Sequence, residues 1–262
     1  GVMCERSGVI DLALEGKLLV GAFAAAVIGR AADSAYAGIA AGAAAGASVA
    51  ALQVWLATRW RADQVIVGVG LNLAAAGTTS YLLEVLYDQA ANSKPSPSFD
   101  SVATDPIVWI AIAAVIVVPL FVAHAPLGLR LRAAGDRPDA LRAAGVSVTR
   151  TRWAAVAIGG AIVGVGGAEL SLQIGSFYTE VSGGRGYIAL VAIILAGWRP
   201  LPAAGCAAAF GLAEALKSQL KLHVAFIPTE LIDQLPYVVT LAVLVIAPLR
   251  TRPPLALGRP ED

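Results

Sequence analysis

Charge is scarce in this chain. Only 14% of its 262 residues are Asp, Glu, Lys or Arg, whereas 58% are hydrophobic, and the mean hydropathy is +0.74. A soluble chain of this length can bury a large core, but it also needs a polar shell, and the residues for one are missing. A net charge of +1 gives no electrostatic footprint for nucleic acid, and the cations are grouped by loop rather than along one stripe. Cysteine is rare as well. Cys4 and Cys206 lie far apart in apolar or near-membrane sequence, and two such thiols make no disulfide framework. His124 and His223 have no metal-ligand spacing with them, so no metal site is expected. The chain opens on Gly1 with neither an initiator Met nor a signal-peptide pattern, so missing upstream residues, including one further membrane helix, are expected.

What the chain has instead is long apolar runs. A spanning helix needs about 20 mostly apolar residues. Residues 36–57, 65–87, 106–123, 153–173, 202–216 and 235–249 are the clear candidates, and 11–28 and 186–198 are apolar but short or interrupted. The expected fold is therefore all-α, a polytopic membrane bundle of about eight spans. Six arginines fall between Ala125 and Arg152, and Arg59, Arg61, Arg199, Arg250, Arg252 and Arg259 share their face under that count. The opposite face receives residues 88–105, with Lys94 as their only cation, then 174–184 and the mixed-charge 217–233, with Arg30 and Arg185 as isolated exceptions. By the positive-inside rule the arginine-rich face, including residues 130–152, is cytoplasmic. Gly38, Gly42 and Gly46 recur every four residues, and Gly160 and Gly164 repeat the device. Small faces of this kind let backbones approach closely in lipid.

Two segments look broken. Leu18 to Ile28 is the purely apolar part of the first, too short to cross at 1.5 Å rise per residue. The second, residues 183–200, is bracketed by glycines and a proline. Paired interrupted segments running in opposite directions point to an inverted repeat and a midplane pathway. Gly8-Val-Ile-Asp-Leu-Ala aligns loosely with Gly186-Tyr-Ile-Ala-Leu-Val.

Several ordered motifs carry a resemblance: Glu5-Arg-Ser-Gly-Val-Ile with Leu-Glu-Gly16, then Asp63-Gln-Val-Ile-Val-Gly-Val-Gly-Leu-Asn72. Pro126-Leu-Gly-Leu-Arg-Leu-Arg-Ala-Ala-Gly135 with Ala143-Ala-Gly145 follows, and Gly184-Arg-Gly-Tyr-Ile-Ala-Leu190 with Gly197-Trp-Arg-Pro200 closes the set. Together they resemble the permease subunits of bacterial ATP-binding-cassette (ABC) importers for nucleosides and simple sugars, related to the ribose and branched-chain amino acid permeases. The resemblance covers nearly the whole chain and looks closest to the shorter of two paired permeases in nucleoside importers.

That resemblance implies a single transmembrane permease domain over residues 1–262, with a cytoplasmic coupling segment over 125–152. It implies a second permease in a heterodimer, an ABC ATPase that binds ATP and Mg, and an extracytoplasmic substrate-binding protein. It also implies residence in the bacterial cytoplasmic membrane. The chain itself carries no cofactor and no catalytic site. Gly16-Lys17 only mimics a phosphate-binding loop, since Asp11 stands where the pattern needs Gly and Leu18 where Ser or Thr should follow.

Candidate residues fall in two sets. Gly135, Asp136, Arg137, Pro138, Leu141, Arg142, Ala144 and Gly145 form the expected coupling helix. In it Pro138 marks the start and Gly145 the stop. Ala134, Leu141 and Ala144 offer an apolar face for an ATPase groove, Arg137 and Arg142 meet acidic groups at its rim, and Gly135→Asp serves to test coupling. The substrate-pathway set is Ser7, Asp11, Glu15, Asn72, Glu169, Gln173, Arg185 and Trp198. Asp11 and Glu15 lie four apart, either in the pathway or paired with Arg6 or Lys17. Asn72 bonds substrate or a neighbouring helix; Glu169 and Gln173 meet substrate, the delivering protein or solvent. Arg185 caps carbonyls or meets substrate, and Trp198 anchors at the interface or stacks. Phe177 and Tyr178 suit a gate or a docking surface. Rival readings are a ribose-type sugar permease, an ion-coupled carrier using Asp11, Glu15 or Glu169, and a structural membrane subunit.

Overall fold

The computed structural model describes residues 1–88, 91–99, 105–223, 234, 238 and 253–259. Ten helices occupy the described residues: α1 (Val2–Arg6), α2 (Leu14–Ala31), α3 (Ala35–Arg59), α4 (Gln64–Tyr87) and α5 (Pro106–His124). They continue with α6 (Pro126–Asp136), α7 (Pro138–Ala143), α8 (Val148–Ile174), α9 (Arg185–Leu195) and α10 (Pro200–His223). Among the described residues there is no strand, only an isolated bridge between Asn92 and Tyr178.

Short polar side chains set where the long helices begin. Asp63 accepts from the N–H groups of Val65 and Ile66 at 2.8 and 3.1 Å, and Asp105 accepts from Ile107 at 2.8 Å. Ser34 and Ser147 do the same for α3 and α8. Each cap satisfies a backbone donor that the first turn leaves without a partner. Proline at the first position of α5, α6 and α7 removes a donor that the helix does not need.

Helices α3, α4, α5 and α8 are long and apolar enough to cross a membrane. Helix α2 starts only at Leu14, because residues 8–13 leave the helical path. Helix α10 runs on to His223, so Lys217 belongs to a helix rather than to the loop its charge suggested. The span expected over residues 235–249 lies outside the described residues.

Helices α2, α3 and α8 pack through their glycines. A Cβ on Gly164 would lie 2.1 Å from the Gly42 carbonyl oxygen, one on Gly46 2.4 Å from that of Gly160, and one on Gly21 2.7 Å from that of Gly164. The two small faces anticipated from sequence thus meet each other, which brings dispersion and backbone contacts within range. On the outside, Ile66, Leu73 and Tyr81 of α4 and Trp109, Ile116 and Leu120 of α5 are exposed. Apolar surface of that extent suits lipid or a second membrane subunit.

The connections sort onto two ends. At one end residues 91–99 pair with 175–179: Ser93 N–H donates to Phe177 O and Ser96 N–H to Gly175 O, both at 2.8 Å. At the other end lie α1, α6, α7, the start of α8 and residues 253–259, joined by bonds described below. Of the loops that the arginine count assigns to opposite faces, 91–99 and 175–179 thus meet each other, and the 125–152 segment meets residues 253–259.

Both interruptions are closed by one device. After α1, Gly8 N–H donates to Glu5 O at 3.0 Å and Val9 N–H to Cys4 O at 3.2 Å. After α9, Gly197 N–H donates to Ile194 O and Trp198 N–H to Ile193 O, both at 3.0 Å. The glycines have φ of +92° and +62°, where a side chain would be strained. Gly145 closes α7 in the same way, with φ of +75°. The looser pairing of Gly8 with Gly186 matches a break with a helix, since Gly186 lies in the first turn of α9.

Candidate functional site

The interruption between α1 and α2 leaves backbone groups without helical partners, and side chains from three other helices supply them. Gln64 Oε1 accepts from Ile10 N–H at 2.8 Å, and Gln53 Nε2 donates to Ile10 O at 2.9 Å. Asn72 uses both ends of its amide: Oδ1 accepts from Gly16 N–H at 2.8 Å, and Nδ2 donates to Leu12 O at 2.8 Å and to the Tyr187 hydroxyl at 3.2 Å. Arg152 Nε donates to Ser7 O at 3.1 Å. Irregular backbone is tolerated inside a membrane bundle only when protein or water satisfies it in this way.

The same residues tie the two interrupted segments together. The Glu15 carboxylate accepts from Gly184 N–H at 3.0 Å and from Gly186 N–H at 2.7 Å, so it caps α9. An anion at a helix N-terminus meets both the unpaired donors and the positive end of the dipole. At the other end of α9, Trp198 Nε1 donates to Glu5. Asp11 forms a fully buried ion pair with Lys17, and Asp11 Oδ2 has no hydrogen-bond partner. Helix α9 is thus fastened to the α1–α2 break at both ends.

Of the residues singled out for a pathway, Ser7, Asp11, Glu15, Asn72 and Trp198 converge here. Ser7 is buried and turns its hydroxyl to Cys4 O at 2.6 Å. Asn72 takes the helix-bridging alternative. Trp198 is buried with Leu14 and Ile193 rather than standing at an interface or offering a stacking face. Arg185, half exposed, caps Val181 O at 2.9 Å and approaches Glu214 of α10 at 3.7 Å. Glu169 and Gln173 lie apart, at the far end of α8, with Glu169 beside the Asp105 that caps α5. Phe177 does not present itself as a gate, since it is fully buried edge-to-face on Phe23, ring centroids 5.3 Å apart. Glu5, Gln53, Gln64, Arg152 and Tyr187 complete the cluster without having been picked out. Glu5, Gln64 and Tyr187 sit within the quoted motifs and Arg152 within the arginine-rich segment, while Gln53 is signalled only as an isolated amide inside an apolar span.

The arginine-rich segment is a pair of short helices meeting at Arg137. Helix α7 ends as its glycine anticipates, with Gly145 N–H donating to Arg142 O at 2.9 Å and Val146 N–H to Leu141 O at 3.1 Å. Arg142 pairs with Asp139 at 2.9 Å in the open. Two features differ from expectation. Ala134 and Leu141 turn inward onto Val148, so only Ala144 of the proposed apolar face is exposed. Gly135 is buried against α1, where a Cβ would lie 2.2 Å from Arg6 O, so Gly135→Asp disrupts packing rather than testing coupling alone.

A helical chain with several membrane-crossing helices, a protected internal interruption and a charged helix pair projecting at one end has the build of a multi-pass permease. The chain belongs to the family described as the branched-chain amino acid transport system permease component, which it matches over residues 1–248. It is 31% identical to the guanosine ABC transporter permease protein NupQ of Bacillus subtilis, over 99% of this chain and 90% of that protein. It is 31% identical to the putative glucose ABC transporter permease protein TsgC13 of Haloferax volcanii, over 95% and 86%. With the nucleoside ABC transporter permease protein NupC of Lactococcus lactis it shares 30% identity over 94% and 86%. No solved structure matches the chain with significance.

Proposed function

We propose that the chain is the transmembrane permease subunit of an ATP-driven ABC importer that carries nucleosides inward by alternating access. Residues 1–262 then form one permease domain in the cytoplasmic membrane, about eight spans thick in sequence, with the arginine-rich end in the cytoplasm. An inverted repeat in which α1–α2 corresponds to α9–α10 fits the two short helices, α1 and α9, each followed by a break and a longer helix. A second permease completes the pathway, a partner ATPase binds ATP and Mg, and an extracytoplasmic protein delivers substrate.

The observation that carries this reading is the seating of α6 on the interruption, Gly135 against Arg6 and Gly8. A push on the α6–α7 pair reaches the broken segment through rigid contacts, as a bistable helix assembly requires. Of the carboxylates an ion-coupled carrier could use, Asp11 is paired with Lys17 and Glu15 is engaged by α9, while Glu169 stands apart from the interruption at the far end of α8 with Oε2 lacking a hydrogen-bond partner. Engaged charges also suit a neutral substrate. The nucleoside assignment draws on the guanosine and nucleoside relatives, and the glucose relative favours simple sugars as a second reading.

The test is uptake of labelled guanosine, ribose and glucose into vesicles holding the complete complex with its binding protein. ATP-dependent guanosine uptake that excess sugar does not compete away is the expected result. Sugar uptake alone moves the substrate to the second reading. Absence of ATP-dependent uptake of all three overturns both.

A further inference from the structure

Residues 253–259 return to the arginine-rich end as a turn, with Leu257 N–H donating to Pro254 O at 3.1 Å and Arg259 N–H to Ala256 O at 3.2 Å. Three bonds fix the turn to three different elements. Ala256 N–H donates to Gly135 O at 2.8 Å at the end of α6, and Gly258 N–H donates to Gly8 O at 3.0 Å in the interruption. Arg259 O accepts from Arg152 Nη1 of α8 at 3.2 Å. Leu257 packs onto the Leu14, Ile193 and Trp198 cluster that joins α2 to α9.

The fit is close. A Cβ on Gly8 would come within 3.1 Å of Ala256 O, and one on Gly258 within 2.7 Å of Ile10 Cδ1, with Gly258 at φ +75°. Behind α7 lies a cleft of about 430 Å³ with Arg137 and Arg142 on one wall and Leu255, Ala256 and Arg259 on the other. The turn therefore bonds to both sides of the contact between Gly135 and Gly8. Neither side can slide past the other without breaking a main-chain hydrogen bond.

We infer that residues 253–259 form a clasp that locks the α6–α7 pair to the α1–α2 interruption and carries displacement of the one to the other. The clasp rests on the importer reading. It meets the cluster around the interruption through main-chain groups, Arg259 O on Arg152 and Gly258 N–H on Gly8, so its role is positioning: it sets how much of a partner's stroke reaches the broken segment. Without it, α6 still abuts α1 but is free to slip.

The test uses complete complexes, assembled with the partner permease, ATPase and binding protein, with uptake and ATP hydrolysis measured on one sample. Ala256→Pro removes the donor to Gly135, and Gly258→Val drives a side chain into Ile10. Each is expected to leave hydrolysis near that of the unaltered complex while uptake per ATP falls, through a lost donor in the first variant and a displaced turn in the second. Gly77→Ala, on a face with nothing within 4 Å, is expected to change neither. If Ala256→Pro fails to assemble, Gly258→Val carries the test. An unchanged uptake-to-hydrolysis ratio, or uptake and hydrolysis falling together, overturns the clasp. An unaltered complex without ATP-driven uptake overturns the importer reading and the clasp with it.

Discussion

Asn72 does the work that a continuous helix would otherwise do for residues 12–16. Its amide replaces two missing backbone partners at once, and its nitrogen also reaches the Tyr187 hydroxyl. Asn72→Leu keeps the volume and leaves Gly16 N–H and Leu12 C=O buried without partners, at about 1–3 kcal/mol each. The thermal midpoint of the purified complex should fall by several degrees and uptake should be lost; an unchanged midpoint contradicts the clip. Asp11 and Lys17 make a second residue-level prediction. Asp11→Asn or Lys17→Met alone strands a buried charge, a loss of about 3–5 kcal/mol, while the double variant recovers most of it. Equal losses in all three, measured by thermal unfolding, contradict a direct pair. Asp11, Glu15 and Asn72 were legible in sequence because polar atoms at that depth are costly. Their partners were not, because nothing in the chain order brings Gly184 or Tyr187 near them. Trp198 misled for a physical reason: the residue after a cap glycine folds back onto its own helix, here against Ile193.

Among the elements, α2, α3 and α8 are held by absence of side chains. Gly164→Val puts atoms where the Gly42 carbonyl stands, and overpacking of this kind costs about 1–3 kcal/mol or more. Gly77→Ala, on a face with nothing within 4 Å, should be tolerated. Expression and detergent stability compare the two, and equal behaviour contradicts the close α3–α8 seam. The four-residue glycine spacing made this seam readable in advance, since i and i+4 share a helix face. The breaks were readable as short apolar runs, but their ends were not. Gly8 and Gly197 close their helices through bonds whose register depends on local geometry rather than on composition. The arginine-rich pair was readable in its start at Pro138 and its stop at Gly145. Its inward face was not, because Ala134 and Leu141 serve the chain's own packing against Val148.

Across the molecule, the bonds form one connected path. The α6–α7 pair rests on α1, the interruption is clipped to α3, α4 and α8, and α9 is fastened at both ends to the same interruption. On the proposed importer reading, such an arrangement would turn a displacement of the α6–α7 pair into a shift of the two interrupted segments. On the importer reading, the pairing of Asp11 with Lys17 and of Glu15 with the start of α9 serves structure rather than ion loading. The measurement that tests this most directly is guanosine uptake into vesicles bearing the complete complex, with ATP supplied and all ion gradients collapsed by ionophores. Uptake that persists under those conditions and stops when ATP is withdrawn is the predicted result. Uptake that stops with the gradients and ignores ATP contradicts the account.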